Sequence, residues 1–222
     1  MITLDKNEIS VSILNADFYN LKNSLDILRQ NDIKYLHLDV MDGIFVPNIS
    51  FGMPVIESLK KSATEFVFDT HLMITEPEKY IDDFVRVGSD IITIHTEATH
   101  YIDKCIEKIK NNNIKVGLSI KPNTEVESIY KYLNNIDMVL IMSVYPGFGG
   151  QSFLEDSLSK VIKLKKYIDD NKLNVKIEID GGINLNNVKK VIDAGVELVV
   201  IGSSIFRGDI STNIKNFKNI IN

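Results

Sequence analysis

The sequence predicts an α/β protein folded as a single (β/α)8 TIM barrel, and three observations carry that prediction. Short runs rich in β-branched residues alternate with longer amphipathic segments along the whole chain, the pattern of parallel strands joined by crossover helices. These runs number eight. The first of them leads into Asn15-Ala16-Asp17 with no glycine, where an open doubly wound sheet carries a glycine-rich turn. The glycines gather instead after the sixth, seventh and eighth runs, the place where barrels commonly seat a phosphate.

Taken in order, strands are expected at residues 8–14, 35–40, 65–71, 91–95, 115–120, 138–143, 176–180 and 198–202. Between them lie stretches with apolar residues at three- and four-residue spacing, such as Phe18, Leu21, Leu25 and Leu28 after the first strand. Phe153, Leu158, Val161, Ile162 and Leu164 form a similar series after the sixth, and residues 211–222 read as a closing helix.

A chain of 222 residues with 44% hydrophobic content buries one good core, so one domain spanning 1–222 is expected. The net charge is −5, and Lys and Arg are scattered among Asp and Glu rather than gathered in a stripe. That excludes a nucleic-acid partner but not an anionic substrate, because backbone N–H groups at helix starts hold a phosphate whatever the global charge. The lone cysteine, Cys105, rules out an internal disulfide and cysteine-rich zinc frameworks, so any metal must use histidine and carboxylate. Cys105 itself reads as a core or helix-face thiol. Residues 1–8 have neither a basic start nor an apolar stretch, and no run approaches the ~20 apolar residues of a membrane span. A cytoplasmic protein without a membrane partner is the expectation.

Ionisable residues stand at the C-terminal ends of strands, where barrel enzymes place their active sites. His37 and Asp39 are two apart on one strand and share a face; His71 ends the third strand and Asp180 the seventh. Two nitrogens and two carboxylates suit one divalent ion such as zinc, iron(II), manganese or cobalt. A single strand-end histidine is commonly structural, but four such groups would cost several kcal/mol to bury without a common partner. Asp69 and Glu178 fall on the same strand faces one register deeper and are expected to orient the metal-binding histidines. Met41, Met73 and Met142 at strand ends serve as core filler or as a water-excluding lining. Gly147, Phe148, Gly149 and Gly150 after the sixth strand, Gly181 and Gly182 after the seventh, and Gly202 and Ser203 after the eighth each lead toward a helix. They are expected to cradle a phosphate.

These stretches are similar to those of the ribulose-phosphate 3-epimerase family. The likeness runs nearly the whole chain through residues 12–17, 37–48, 71–73, 142–151, 180–182 and 202–206. It implies interconversion of ribulose 5-phosphate and xylulose 5-phosphate in the pentose phosphate pathway, on a TIM barrel. It also implies that His37, Asp39, His71 and Asp180 bind the metal and that Asp39 and Asp180 are the acid/base pair. Ser12, His71, Gly147, Phe148, Gly149, Gly150, Gly202 and Ser203 would contact the sugar phosphate. A homo-oligomer is expected. Asn15, Tyr145 and Lys121 depart from the family pattern in the loops around the substrate. The alternative readings are a hexulose 6-phosphate epimerase, a Schiff-base aldolase using Lys121, and a non-catalytic phosphate-binding barrel.

Overall fold

The structure, a computed structural model, describes residues 7–221; the reading of the first six residues lies outside them. Eight parallel strands close on themselves in chain order: β1 (Glu8–Ser12), β2 (Tyr35–Met41), β3 (Val67–Met73), β4 (Ile91–His95), β5 (Lys115–Ile120), β6 (Met138–Met142), β7 (Lys176–Asp180) and β8 (Leu198–Ile201). The expected boundaries hold to within two residues. β1 stops at Ser12 rather than residue 14 because the Ser12 side chain accepts from the Leu14 N–H and turns the chain into a short 3-10 segment. β3 starts at Val67 because residues 63–66 form a turn in which the Phe66 N–H donates to the Ala63 carbonyl, and the first cross-strand bond is from the Val67 N–H to the Lys34 carbonyl.

Helices α1 (Leu21–Gln30), α2 (Met53–Ser62), α3 (Ile81–Arg86), α4 (Ile102–Asn111), α5 (Asp156–Asp170), α6 (Val188–Asp193), α7 (Ser203–Phe206) and α8 (Ile210–Ile221) surround the strands. The β5–β6 connection is a ten-residue 3-10 stretch, Val126–Asn135, in place of an α-helix. Every strand alternates between two faces. Outward residues such as Leu38, Phe68, Ile94, Leu118 and Val139 pack with the helices into one continuous apolar shell. In the helical series, Leu25, Leu28, Val161 and Leu164 join that shell, whereas Phe18 and Ile162 are 46% and 58% exposed and lie off it. Cys105 is fully buried on α4, as expected.

Inward residues fill the barrel in layers. An apolar plug of Tyr35, Ile91, Met138 and Leu198 closes the N-terminal end. Above it comes a polar layer with Ser10, His37, Asp69, Thr93, Ser119 and Glu178, all buried. Parallel pairing sets the register that matters: His37 lies beside Asp69 and Asp39 beside His71 on β2 and β3, while Met142 lies beside Asp180 on β6 and β7.

Candidate active site

At the C-terminal mouth of the barrel the strands deliver four side chains to one point. One ligand atom from each of His37, Asp39, His71 and Asp180 lies within 4.8 Å of the others. The strand period accounts for the convergence: His37 and Asp39 face inward two residues apart on β2, and pairing carries His71 alongside.

The three closest donors are spaced for one ion. Ligand atoms that share one tetrahedral ion at ~2.0–2.1 Å stand ~3.3 Å apart. His71 Nδ1 and Asp39 Oδ1 are 3.2 Å apart, His37 Nε2 and His71 Nδ1 3.3 Å, and His37 Nε2 and Asp39 Oδ1 3.4 Å. The set fits a divalent cation. A second triad, His37, Asp69 and Glu178, is sealed from solvent. There His37 Nδ1 and Asp69 Oδ2 are only 2.6 Å apart, a hydrogen-bond length that leaves no room for an ion between them.

Asp69 therefore acts on His37 as a hydrogen-bond acceptor, and Ser10 Oγ donates to the same oxygen at 2.8 Å. Glu178 comes within 3.7 Å of His37 Nδ1, and neither of its oxygens has a hydrogen-bond partner among the described residues. Burial, reinforced by the Asp69 charge, pushes the Glu178 carboxyl well above the usual carboxylate range. Burial also opposes ionisation of Asp69 and Asp39, but the neighbouring imidazoles outweigh it and hold both carboxyls low. Ser12 Oγ donates to Asp39 Oδ2 at 2.6 Å. Asp180 lacks such help: burial and then the Asp39 charge raise its carboxyl to about 7. The two acids thus sit in unequal environments at one site.

Above the ligands opens a cleft with about 510 Å³ of empty space, part of it open to solvent. Asp39 and Asp180 reach its floor with Met41, Met73 and Met142, which are at most 4% exposed. Ser12, residues 147–150, Gly181, Gly182, Gly202 and Ser203 line the cleft. His71, also expected to touch substrate, is fully buried and lies beneath the lining.

The turns differ from expectation in how they meet the helices. Only Gly202 stands directly at a helix start; α5 begins at Asp156 and α6 at Val188, several residues past their glycines. Gly147, Gly150, Gly181 and Gly182 all have positive φ, so the chain coils into loops before each helix begins. Those loops are pinned. Gln151 Nε2 donates to the Tyr145 and Phe148 carbonyls at 2.7 and 2.9 Å, and Asn48 Nδ2 donates to the Gly147 carbonyl at 2.9 Å. A Cβ at Gly182 would stand 2.4 Å from the Phe153 backbone nitrogen, so only glycine fits.

Asn15 fills the space beside Gly149, its Oδ1 only 2.3 Å from where a Cβ would stand. Lys121 does not line the cleft; its ammonium lies 3.7 Å from the centroid of the Phe45 ring, which removes it as a Schiff-base nucleophile. Sequence reasoning passed over His95 and Glu97. His95 ends β4 as His71 stands near the end of β3, and that shared strand-end position was the signal available. Burial, only partly offset by Glu97, lowers the His95 pKa to about 4. Burial opposes the charge on Glu97, but His95, Thr124 and the Lys121 N–H outweigh it and bring its carboxyl to about 2.

Residues 8–206 match the model of the ribulose-phosphate 3 epimerase family. The chain is 39% identical to ribulose-phosphate 3-epimerase of Bacillus subtilis, over 90% of this chain and 92% of that one. It is 36% identical to that of Escherichia coli K12, over 89% and 88% respectively. The chloroplastic ribulose-5-phosphate-3-epimerase of Arabidopsis thaliana is 40% identical, over 95% and 75%. Among solved structures, 3-hexulose-6-phosphate synthase of Salmonella typhimurium superposes with a TM-score of 0.76 at 15% identity, covering 96% of this chain and 98% of that one. At that identity the likeness speaks for the barrel alone.

Proposed function

This chain belongs to the ribulose-phosphate 3-epimerase family and is an isomerase, and from that premise we propose that it interconverts ribulose 5-phosphate and xylulose 5-phosphate in the pentose phosphate pathway, with Asp39 and Asp180 as paired bases. The observation that carries the reading is the convergence of two acids and two imidazoles on the floor of a glycine-rimmed cleft.

Inverting a carbon next to a carbonyl requires taking its proton from one face, which leaves an enediolate, and returning a proton to the other. One acid must be charged while its partner is protonated. Asp39, held low by its imidazoles, and Asp180, pushed up by burial and the Asp39 charge, stand in the unequal environments that such a division of roles needs. They come from β2 and β7, which are not neighbours in the barrel, so they approach the mouth from different sides. The methionines keep the floor dry and strengthen every charge interaction there. The backbone of the glycine loops and Ser203 would take the phosphate end of the sugar. His37, Asp39, His71 and Asp180 would hold a divalent cation, which when bound supplies Lewis-acid charge for the oxygens around the reacting carbon. The three epimerase relatives are named for ribulose phosphate, and the hexulose-phosphate synthase, at 15% identity, speaks for the barrel alone, so the six-carbon alternative has no support. A homo-oligomer belongs to the same proposal, and a monomer's mass in light scattering would refute it.

Two tests bear on the reading. Asp39→Asn and Asp180→Asn should each lower turnover by roughly 10²–10⁴-fold and stop exchange of the C3 proton with solvent. Undiminished turnover in either variant sinks the two-base scheme. Chelation should abolish activity and a returned divalent ion restore it; full activity at zero metal content by elemental analysis sinks the cation.

A further inference from the structure

The two histidines of the ligand set are held from behind in different ways. His37 presents Nε2 to the site and gives its other nitrogen to Asp69 at 2.6 Å. A carboxylate only accepts, so His37 keeps a proton on Nδ1, and Nε2 is the nitrogen it can offer to a cation as a lone pair. His71 presents Nδ1 to the site, but its Nε2 meets another imidazole, His95 Nε2, at 2.9 Å. An imidazole nitrogen can donate or accept, so that contact alone decides nothing. The decision comes from one step further out. His95 Nδ1 lies 3.3 Å from Glu97 Oε2, and the other Glu97 oxygen accepts from the Lys121 backbone N–H at 2.8 Å and from the Thr124 hydroxyl. The loop supplying those donors is itself fastened: Lys160 Nζ donates to the carbonyls of Pro122 and Thr124 at 2.6 and 2.5 Å.

We propose that His95 and Glu97 are positioning residues that fix the tautomer of His71, so that His71 Nδ1 faces the cation site as a lone pair. The inference rests on the metal site proposed above. With Glu97 accepting only, His95 carries its proton on Nδ1; its Nε2 is then an acceptor, His71 carries its proton on Nε2, and His71 Nδ1 is free to bind a cation. The reverse order would turn a lone pair of His95 toward a carboxylate and place a proton where the cation belongs. Phe45, packed against the His95 ring with centroids 4.9 Å apart, and the burial of both rings shield the relay from water.

The test uses the whole chain loaded with zinc and labelled with 15N-histidine. With four histidines the imidazole spectrum is assignable, and long-range 1H–15N correlations report which nitrogen bears each proton. The expected result is neutral His95 protonated at Nδ1 and His71 protonated at Nε2. A proton on His95 Nε2 overturns the relay. Glu97→Gln supplies a second readout. Its amide oxygen retains the Lys121 and Thr124 donors, so an NH2 group faces His95 and reverses the order. Zinc affinity, measured by chelator competition, should then weaken about 10–100-fold, with the His95 proton moved to Nε2; affinity equal to the parent overturns the proposal. A purely packing role for His95 would not move that proton. A parent chain that binds no zinc overturns the metal site and the relay together, whereas zinc bound with the opposite His95 tautomer overturns the relay alone.

Discussion

Two regions of this barrel are equally dry and treat ionisable groups in opposite ways. In the shell between strands and helices, the single thiol, Cys105, is fully buried, and burial, reinforced by Glu78, pushes it up to about 12. Inside the barrel, Asp39 and Asp69 are at most 3% exposed, yet both carboxyls are held below their ordinary value. The difference is the partner. The shell offers aliphatic neighbours, which leave the desolvation penalty standing; inside the barrel, imidazoles reverse it for Asp39 and Asp69, while Glu178 and Asp180, facing carboxylate charge, stay raised. The shell should therefore answer to volume and the interior to charge.

The largest expected effect tests the shell. Leu38→Ala, with Leu38 fully buried in the strand–helix cluster, should cost about 2–5 kcal/mol in urea unfolding while leaving zinc affinity unchanged. A parallel loss of affinity would mean that the two regions are not separable. Next comes the interior: Asp69→Asn keeps shape and removes charge, and should weaken zinc binding about 10–100-fold. Tight zinc binding by that variant would break the comparison on its other side. Gly149→Ala drives a Cβ against Asn15 in the cleft rim and should raise KM for the sugar phosphate roughly tenfold, or ~1.4 kcal/mol, without touching metal affinity in equilibrium titrations.

The smallest effect, at pH 9 where it has only begun, is in the thiol. Because folding raises the Cys105 pKa from 9.0 to about 12, the native chain keeps a proton that the unfolded chain gives up. The resulting stability is whole below pH 9 and drains away as pH climbs toward about 12. Iodoacetamide at pH 9 should label Cys105 only after denaturation, and native labelling would show the shell to be open.

Much of this contrast was legible in the residues. Two-residue alternation placed His37, Asp39, His71, Asp69 and Asp180 on inward faces, and pairing brought them together as that period requires. Helical spacing was less reliable: Ile162 matched the pattern yet is 58% exposed, because the buried stripe of α5 runs through Ser157, Val161, Leu164 and Ile168 and Ile162 lies off it. The glycine turns were placed correctly around the cleft, but their distance from the helix starts depends on positive-φ coiling that composition does not encode. His95 was read as strand and no more. Its role depends on Glu97, Lys121 and Thr124 closing around it from the next connection, a contact between segments that no local pattern announces.

The closure of the sheet has a consequence for assembly. With β1 bonded to β8, the described strands leave no free edge on which another chain's strand could add. Copies of this protein that associate through the folded barrel must meet through side chains on helices and loops, and the ribbon-by-ribbon growth seen in fibril-forming sheets is open to it only after the ring is broken.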